Sequence, residues 1–113
     1  MDQEPRGLRF AFSAAAEIAP EGSPTSFVPG RVTQISLRGC YLETSASFEM
    51  HCHVLLKIHN SGEYFETEAT VLYVQPSGVG LVFREIMPDY RAVLQRWVLT
   101  ALDKQPTGQV PKP

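Results

Sequence analysis

Residues 31–43, RVTQISLRGCYLE, form an apolar, β-branched run interrupted by a polar segment from Gln34 to Gly39. The run reads as two strands joined at a tight corner. Val32, Ile35, Leu37, Tyr41 and Leu42 can feed a core, while Gln34, Ser36 and Arg38 fall at period two and share one face of the first strand. That face is a row of hydrogen-bonding groups. Gly39 stands where the chain must turn back, and a residue without Cβ allows either a positive φ or the close approach of a ligand to the backbone. From the pattern alone, the corner of a barrel with a solvated polar face accounts for the stretch.

On the C-terminal side, Met50, Cys52, Val54, Leu56 and Ile58 alternate with His51, His53, Leu55, Lys57 and His59, as in a half-buried strand. The turn residues His59 to Gly62 lead into Tyr64 to Val74, with Phe65, Ala69, Val71 and Tyr73 on one face and Glu66, Glu68 and Thr70 on the other. This pair predicts a hairpin. Gln75 to Gly78 makes the next turn, and Val79, Leu81 and Phe83 give a further inward-facing strand. Short antiparallel strands joined by tight turns point to a barrel, because closure removes the exposed edges that promote aggregation. Upstream, residues 20–27 (PEGSPTSF) are a loop. Residues 10–19 (FAFSAAAEIA) are ambiguous: alanine favours helix, yet the run is short for an isolated helix and stops at Pro20.

The helix signal is strong at the C-terminal end. Pro88 suits a first helical position and Asp89 complements the helix dipole. Tyr90, Val93, Leu94, Trp97, Val98, Ala101 and Leu102 follow at offsets 0, 3, 4, 7, 8, 11 and 12, an apolar stripe with the barrel as its available partner. Leu99 points away from it. Residues 1–8 are expected to be a flexible segment, residues 9–104 the barrel and helix, and residues 105–113 a disordered proline-rich tail.

At 113 residues the chain fits one domain, and 43% hydrophobic with 19% charged residues is a globular composition. No apolar run approaches the roughly 20 residues needed to span a bilayer, and no basic segment precedes an apolar leader, so no membrane insertion and a cytoplasmic address are expected. Ten basic against 12 acidic residues argue against long nucleic acid as a partner. A small anion needs only a local cluster. Arg31 and Arg38 lie in a window from Gly22 to Leu42 that holds no acidic residue, and Arg6 and Arg9 could fold beside them. His51 and His53 share a strand face that Cys52 opposes, which excludes convergence on one metal ion from a regular strand. A Cys40–Cys52 disulfide is geometrically allowed but disfavoured in a reducing compartment. No nucleophile, base and orienting acid come together in the pattern, so no enzyme is expected and no catalytic or metal residue is assigned.

The order of these elements over roughly residues 5–103 resembles the PilZ domain, a bacterial receptor module for the second messenger cyclic di-GMP. That family's strand motif is Asp or Asn, any residue, Ser, two residues, Gly; Gln34-Ile35-Ser36-Leu37-Arg38-Gly39 matches it at Ser36 and Gly39 and departs at Gln34. Its first motif has two arginines with three residues between them, whereas Arg6-Gly7-Leu8-Arg9 is one residue short. Arg9, followed by Phe10-Ala11-Phe12, matches the second arginine of that motif better than Arg6 matches the first. The resemblance implies a mainly β fold, a six-stranded antiparallel split barrel with one C-terminal helix packed on it, and it makes residues 10–19 a strand. It further implies cyclic di-GMP as ligand, held by Arg6, Arg9, Arg31, Gln34, Ser36, Arg38 and Gly39, with no other cofactor. Arginine suits such a ligand, since its planar fork pairs with a phosphate or with guanine O6 and N7. The expected partner is a downstream protein of unspecified identity, and the chain is expected to be a monomer or weak homodimer. The alternative is a degenerate adaptor of the same fold that has lost the nucleotide and acts through protein contacts.

Overall fold

In the computed structural model, which describes residues 9–104, the alternation along the chain becomes six strands and one helix. These are β1 (Phe10–Pro20), β2 (Val28–Ile35), β3 (Gly39–Glu43), β4 (His53–Asn60), β5 (Glu63–Gln75), β6 (Gly78–Phe83) and α1 (Pro88–Asp103). They close into an antiparallel barrel in the order β1-β2-β3-β6-β5-β4. The alanine-rich stretch is indeed a strand. β1 pairs with β2 on one side and β4 on the other, burying Ala14, Ala16 and Ile18 while Ala15 and Glu17 face out. Two ladders of tertiary hydrogen bonds outweigh a helix preference of a few tenths of a kcal/mol per residue.

One inward row crosses four strands as Ile35, Cys40, Leu81 and Val71, all fully buried. Two bulges shape the wall beside it. On β2 the pairing passes from Val32–Leu42 to Gln34–Tyr41, so Val32 and Ile35 both point inward and Gln34 points out. On β5 it passes from Val71–Leu81 to Tyr73–Gly80, which makes Leu72 the extra residue and turns Tyr73 to the outer face. This corrects the period-two assignment of Tyr73 to the inward set. Parity is lost at a bulge, and nothing in the alternation announces one.

Other expectations also change. Leu37 is 51% exposed at the corner, and Ser36, beyond the end of β2, is buried instead of sharing a solvated strand face with Gln34. Met50 precedes β4 and is exposed, while Cys52 is half-buried; His51 and His53 are exposed as the alternation predicts.

The helix packs on β5 and β1. Leu94, Trp97, Val98 and Ala101 are buried, Tyr90 and Val93 are half-buried, and Leu102, expected in the buried stripe, is exposed beside the buried Ala101. Leu99 is exposed, as expected. Trp97 stacks on Phe12 at 5.6 Å between ring centroids and tilts against Phe65 at 6.0 Å. Its indole Nε1–H donates to Glu63 Oε1 at 2.9 Å, and Arg96 pairs with the same carboxylate. Those two donors hold the Glu63 carboxyl below its ordinary value. The helix is thereby tied to the start of β5.

Candidate functional site

The corner between β2 and β3 is closed by its own serine. Ser36 N–H donates to the Gly39 carbonyl at 2.9 Å, and Ser36 Oγ accepts from the amides of Arg38 and Gly39 at 3.1 Å each. This is the local side-chain-to-backbone bonding that serine supplies in turns. The hydroxyl lies 3.3 Å from the Gly39 carbonyl, to which it donates. Gly39 needs its missing Cβ for a different reason than a positive φ. An added Cβ would collide with the Leu81 carbonyl oxygen of β6, so the glycine allows β3 and β6 to pair, and Arg38 C=O then accepts from Phe83 N–H at 2.8 Å.

Outside this corner lies a cleft of about 260 Å³ lined by Arg9, Ser36, Arg38, Gly39, Leu72, Leu81 and Val82. Four of the expected ligand residues therefore meet at one place. Arg9 reaches it from just before β1, where its Nη1–H donates to Tyr73 Oη at 2.9 Å and its guanidinium sits 5.8 Å from the centre of the same ring. Tyr73 lies over Gly80, where a Cβ would occupy the space of the ring, and stacks on Tyr41 with centroids 6.2 Å apart and planes 22° apart. Gln34, Tyr41, Gly80 and Tyr73 are consecutive partners across β2, β3, β6 and β5, a row along the outer wall. Gln34 thus belongs to the wall beside the cleft.

Arg31 is elsewhere. Its Nη1–H donates to Ser13 Oγ at 2.8 Å, and it lines a separate shallow groove with Gly30, Glu43 and Ser77. The expectation that it shares a cleft with Ser36 is not met, because Arg31 lies on the far side of the β2 bulge, level with Ala15 and Glu43. Arg6 lies outside the described residues.

Behind the cleft, burial pushes the Cys40 thiol up to about 12, with the positive charge of Arg9 acting in the opposite direction. The thiol stays protonated at neutral pH and is no nucleophile. Among the described residues no three His, Cys, Asp or Glu side chains gather as metal ligands, and no helix is long and apolar enough to cross a membrane.

The sequence reading missed Tyr73, Tyr41, Leu72 and Gly80 as neighbours of the site. One signal was present: Gly78 and Gly80 alternate on β6, and a strand glycine opposite an aromatic residue is commonly covered by that ring.

The described residues thus form a closed antiparallel barrel with one C-terminal helix and a cleft at one strand corner that two arginines line. The family model of the PilZ domain matches residues 2–100, and the chain belongs to that family. No curated protein matches this sequence. Among solved structures, the PilZ domain of CeSA from a cellulose-synthesizing bacterium aligns with a TM-score of 0.68 at 16% identity, covering 83% of this chain and 97% of that one. The Bacillus subtilis inhibitor of motility MotI/DgrA aligns at 0.71 and 23% identity, covering 93% of this chain and 55% of that one. The PilZ domain of YcgR from Escherichia coli, solved with c-di-GMP, aligns at 0.69 and 14% identity, covering 90% and 94%. At these identities the likeness is one of fold.

Proposed function

We propose that this protein is a cytoplasmic receptor for cyclic di-GMP that captures the nucleotide at the Ser36–Gly39 corner. The observation that carries the reading is the meeting of Arg9, Arg38, Ser36 and Gly39 on one cleft, from sequence positions up to 30 apart. Guanidinium groups there can pair with a phosphate or a guanine edge, and Leu72 and Val82 offer apolar surface to a base. The cleft, at about 260 Å³, is smaller than the roughly 300–1,000 Å³ of a pocket that encloses a whole drug-sized ligand. It suits one part of a cyclic dinucleotide, with the rest contacted by Gln34 on the adjoining wall and by Arg6. Contacts from both Arg6 and Arg9 to one ligand would tie the N-terminal segment to the corner and change the surface offered to a downstream protein. Calorimetric titration tests this. Truncating a buried, hydrogen-bonded charge costs about 2–5 kcal/mol, so Arg9→Ala should weaken binding at least about thirtyfold. Pro5→Arg combined with Gln34→Asp, which restores both motifs, should bind as tightly as the parent or tighter. No binding heat from parent and repaired variant at millimolar ligand, with the barrel folded, overturns the receptor reading.

A second reading is favoured by the exposed apolar side chains Leu37, Leu72 and Val82 at and beside the same corner. In it the domain is an adaptor that docks a protein on that surface without the nucleotide. Failure of the titration, with loss of partner binding on Leu72→Asp, would select it.

A further inference from the structure

Arg9 is the basic residue that enters the cleft from outside the β2–β3 corner, and a free arginine side chain samples many rotamers. A ligand that must order it loses affinity unless the protein has already done so. In this chain three features of the outer wall converge to do it. The β5 bulge at Leu72 turns Tyr73 outward; Gly80 leaves room for its ring to lie flat; Tyr41 supports the ring from the side, with its own Oη within 2.8 Å of Ser77 Oγ. The result is a phenol oxygen 2.9 Å from Arg9 Nη1 and a ring face 5.8 Å from the guanidinium carbon.

Resting on the receptor reading, we propose that Tyr73 is a positioning residue for nucleotide capture, holding the Arg9 guanidinium at the Ser36–Gly39 cleft through its hydroxyl and ring. It belongs to neither arginine nor serine motif, and its part in the site comes from the bulge that turns it outward together with Gly80 and Tyr41 that seat its ring. Tyr73 uses one edge of the guanidinium, through Nη1; the remaining N–H groups are left to pair with a phosphate or a guanine edge. The competing role is purely structural, a ring that covers Gly80 and stacks on Tyr41. Tyr73→Phe separates the two, because it retains the ring, its cover and its stacking while removing the one oxygen that Arg9 uses.

The experiment is calorimetric titration of cyclic di-GMP into the wild-type chain and Tyr73→Phe. It is paired with thermal melts and with ¹⁵N spectra of the arginine side-chain Nε–H groups in ligand-free protein. Positioning predicts a Kd raised about three- to tenfold in Tyr73→Phe, the effect of one hydrogen bond. It also predicts an unchanged melting midpoint and loss of the dispersed Arg9 Nε–H signal. Wild-type binding with the same Kd in Tyr73→Phe overturns this proposal and leaves the receptor reading intact. A lower melting midpoint in Tyr73→Phe with no change in Kd assigns the residue to structure and overturns it equally. Absence of wild-type binding overturns the receptor reading, and the positioning role with it.

Discussion

Ser36 shows how one side chain can satisfy a sequence motif for a structural reason. Its Oγ accepts from two backbone amides at the corner, and it is buried. Leaving buried donors unpaired costs about 1–3 kcal/mol, so Ser36→Ala should lower the unfolding free energy by that amount in urea titrations, even without ligand. An unchanged midpoint would mean that water reaches the corner. Gly39→Ala should be worse than the roughly 1–3 kcal/mol of ordinary overpacking, since the obstacle is the Leu81 carbonyl oxygen of a paired strand and not a flexible side chain. Both residues were legible from motif spacing. Tyr73 was not, because its direction depends on a bulge that leaves no mark in the alternation, and neither was the separation of Arg31 from the cleft.

Among the elements, α1 was the most legible, since Pro88 and a stripe at helical spacing specify both its start and its buried face. What the stripe could not show was how wide a face the barrel covers, since Ala101 is buried and Leu102 next to it is exposed. β1 was the least legible: its alanines favour helix, and the decision for strand is made by the partners on its two edges. Trp97, buried between Phe12 and Phe65, should be the largest single contributor to the helix dock, with Trp97→Ala costing about 3–5 kcal/mol by thermal or chemical melting. The Glu63 clasp adds a pH dependence. Its carboxyl is lowered from 4.5 in the folded chain by Arg96 and Trp97, so the stabilisation is fully present above about that pH and is lost as pH falls through the lower folded value. Melting midpoints of Glu63→Gln should accordingly fall less steeply than those of the parent between neutral and strongly acid pH. Parallel acid limbs would place the clasp outside the stability of the fold.

For the whole molecule, the antiparallel barrel with a terminal helix was readable from turn residues, edge logic and family resemblance. The strand order was not, because local alternation says nothing of the pairing that places β6 between β3 and β5. That order brings the site together: β3 supplies Gly39, β6 the floor, β5 Leu72 and Tyr73, and the residue before β1 the arginine. The site is therefore a property of the closed wall, and its ligand should be felt on strands remote in sequence. Amide chemical-shift mapping of the full chain titrated with cyclic di-GMP reads this directly. Arg38, Gly39, Leu72, Tyr73 and Val82 should move together and saturate with one Kd, while Gly30, Glu43 and Ser77 in the Arg31 groove and the buried face of α1 stay still. Shifts confined to the Arg31 groove, or no shifts at millimolar nucleotide, would contradict it.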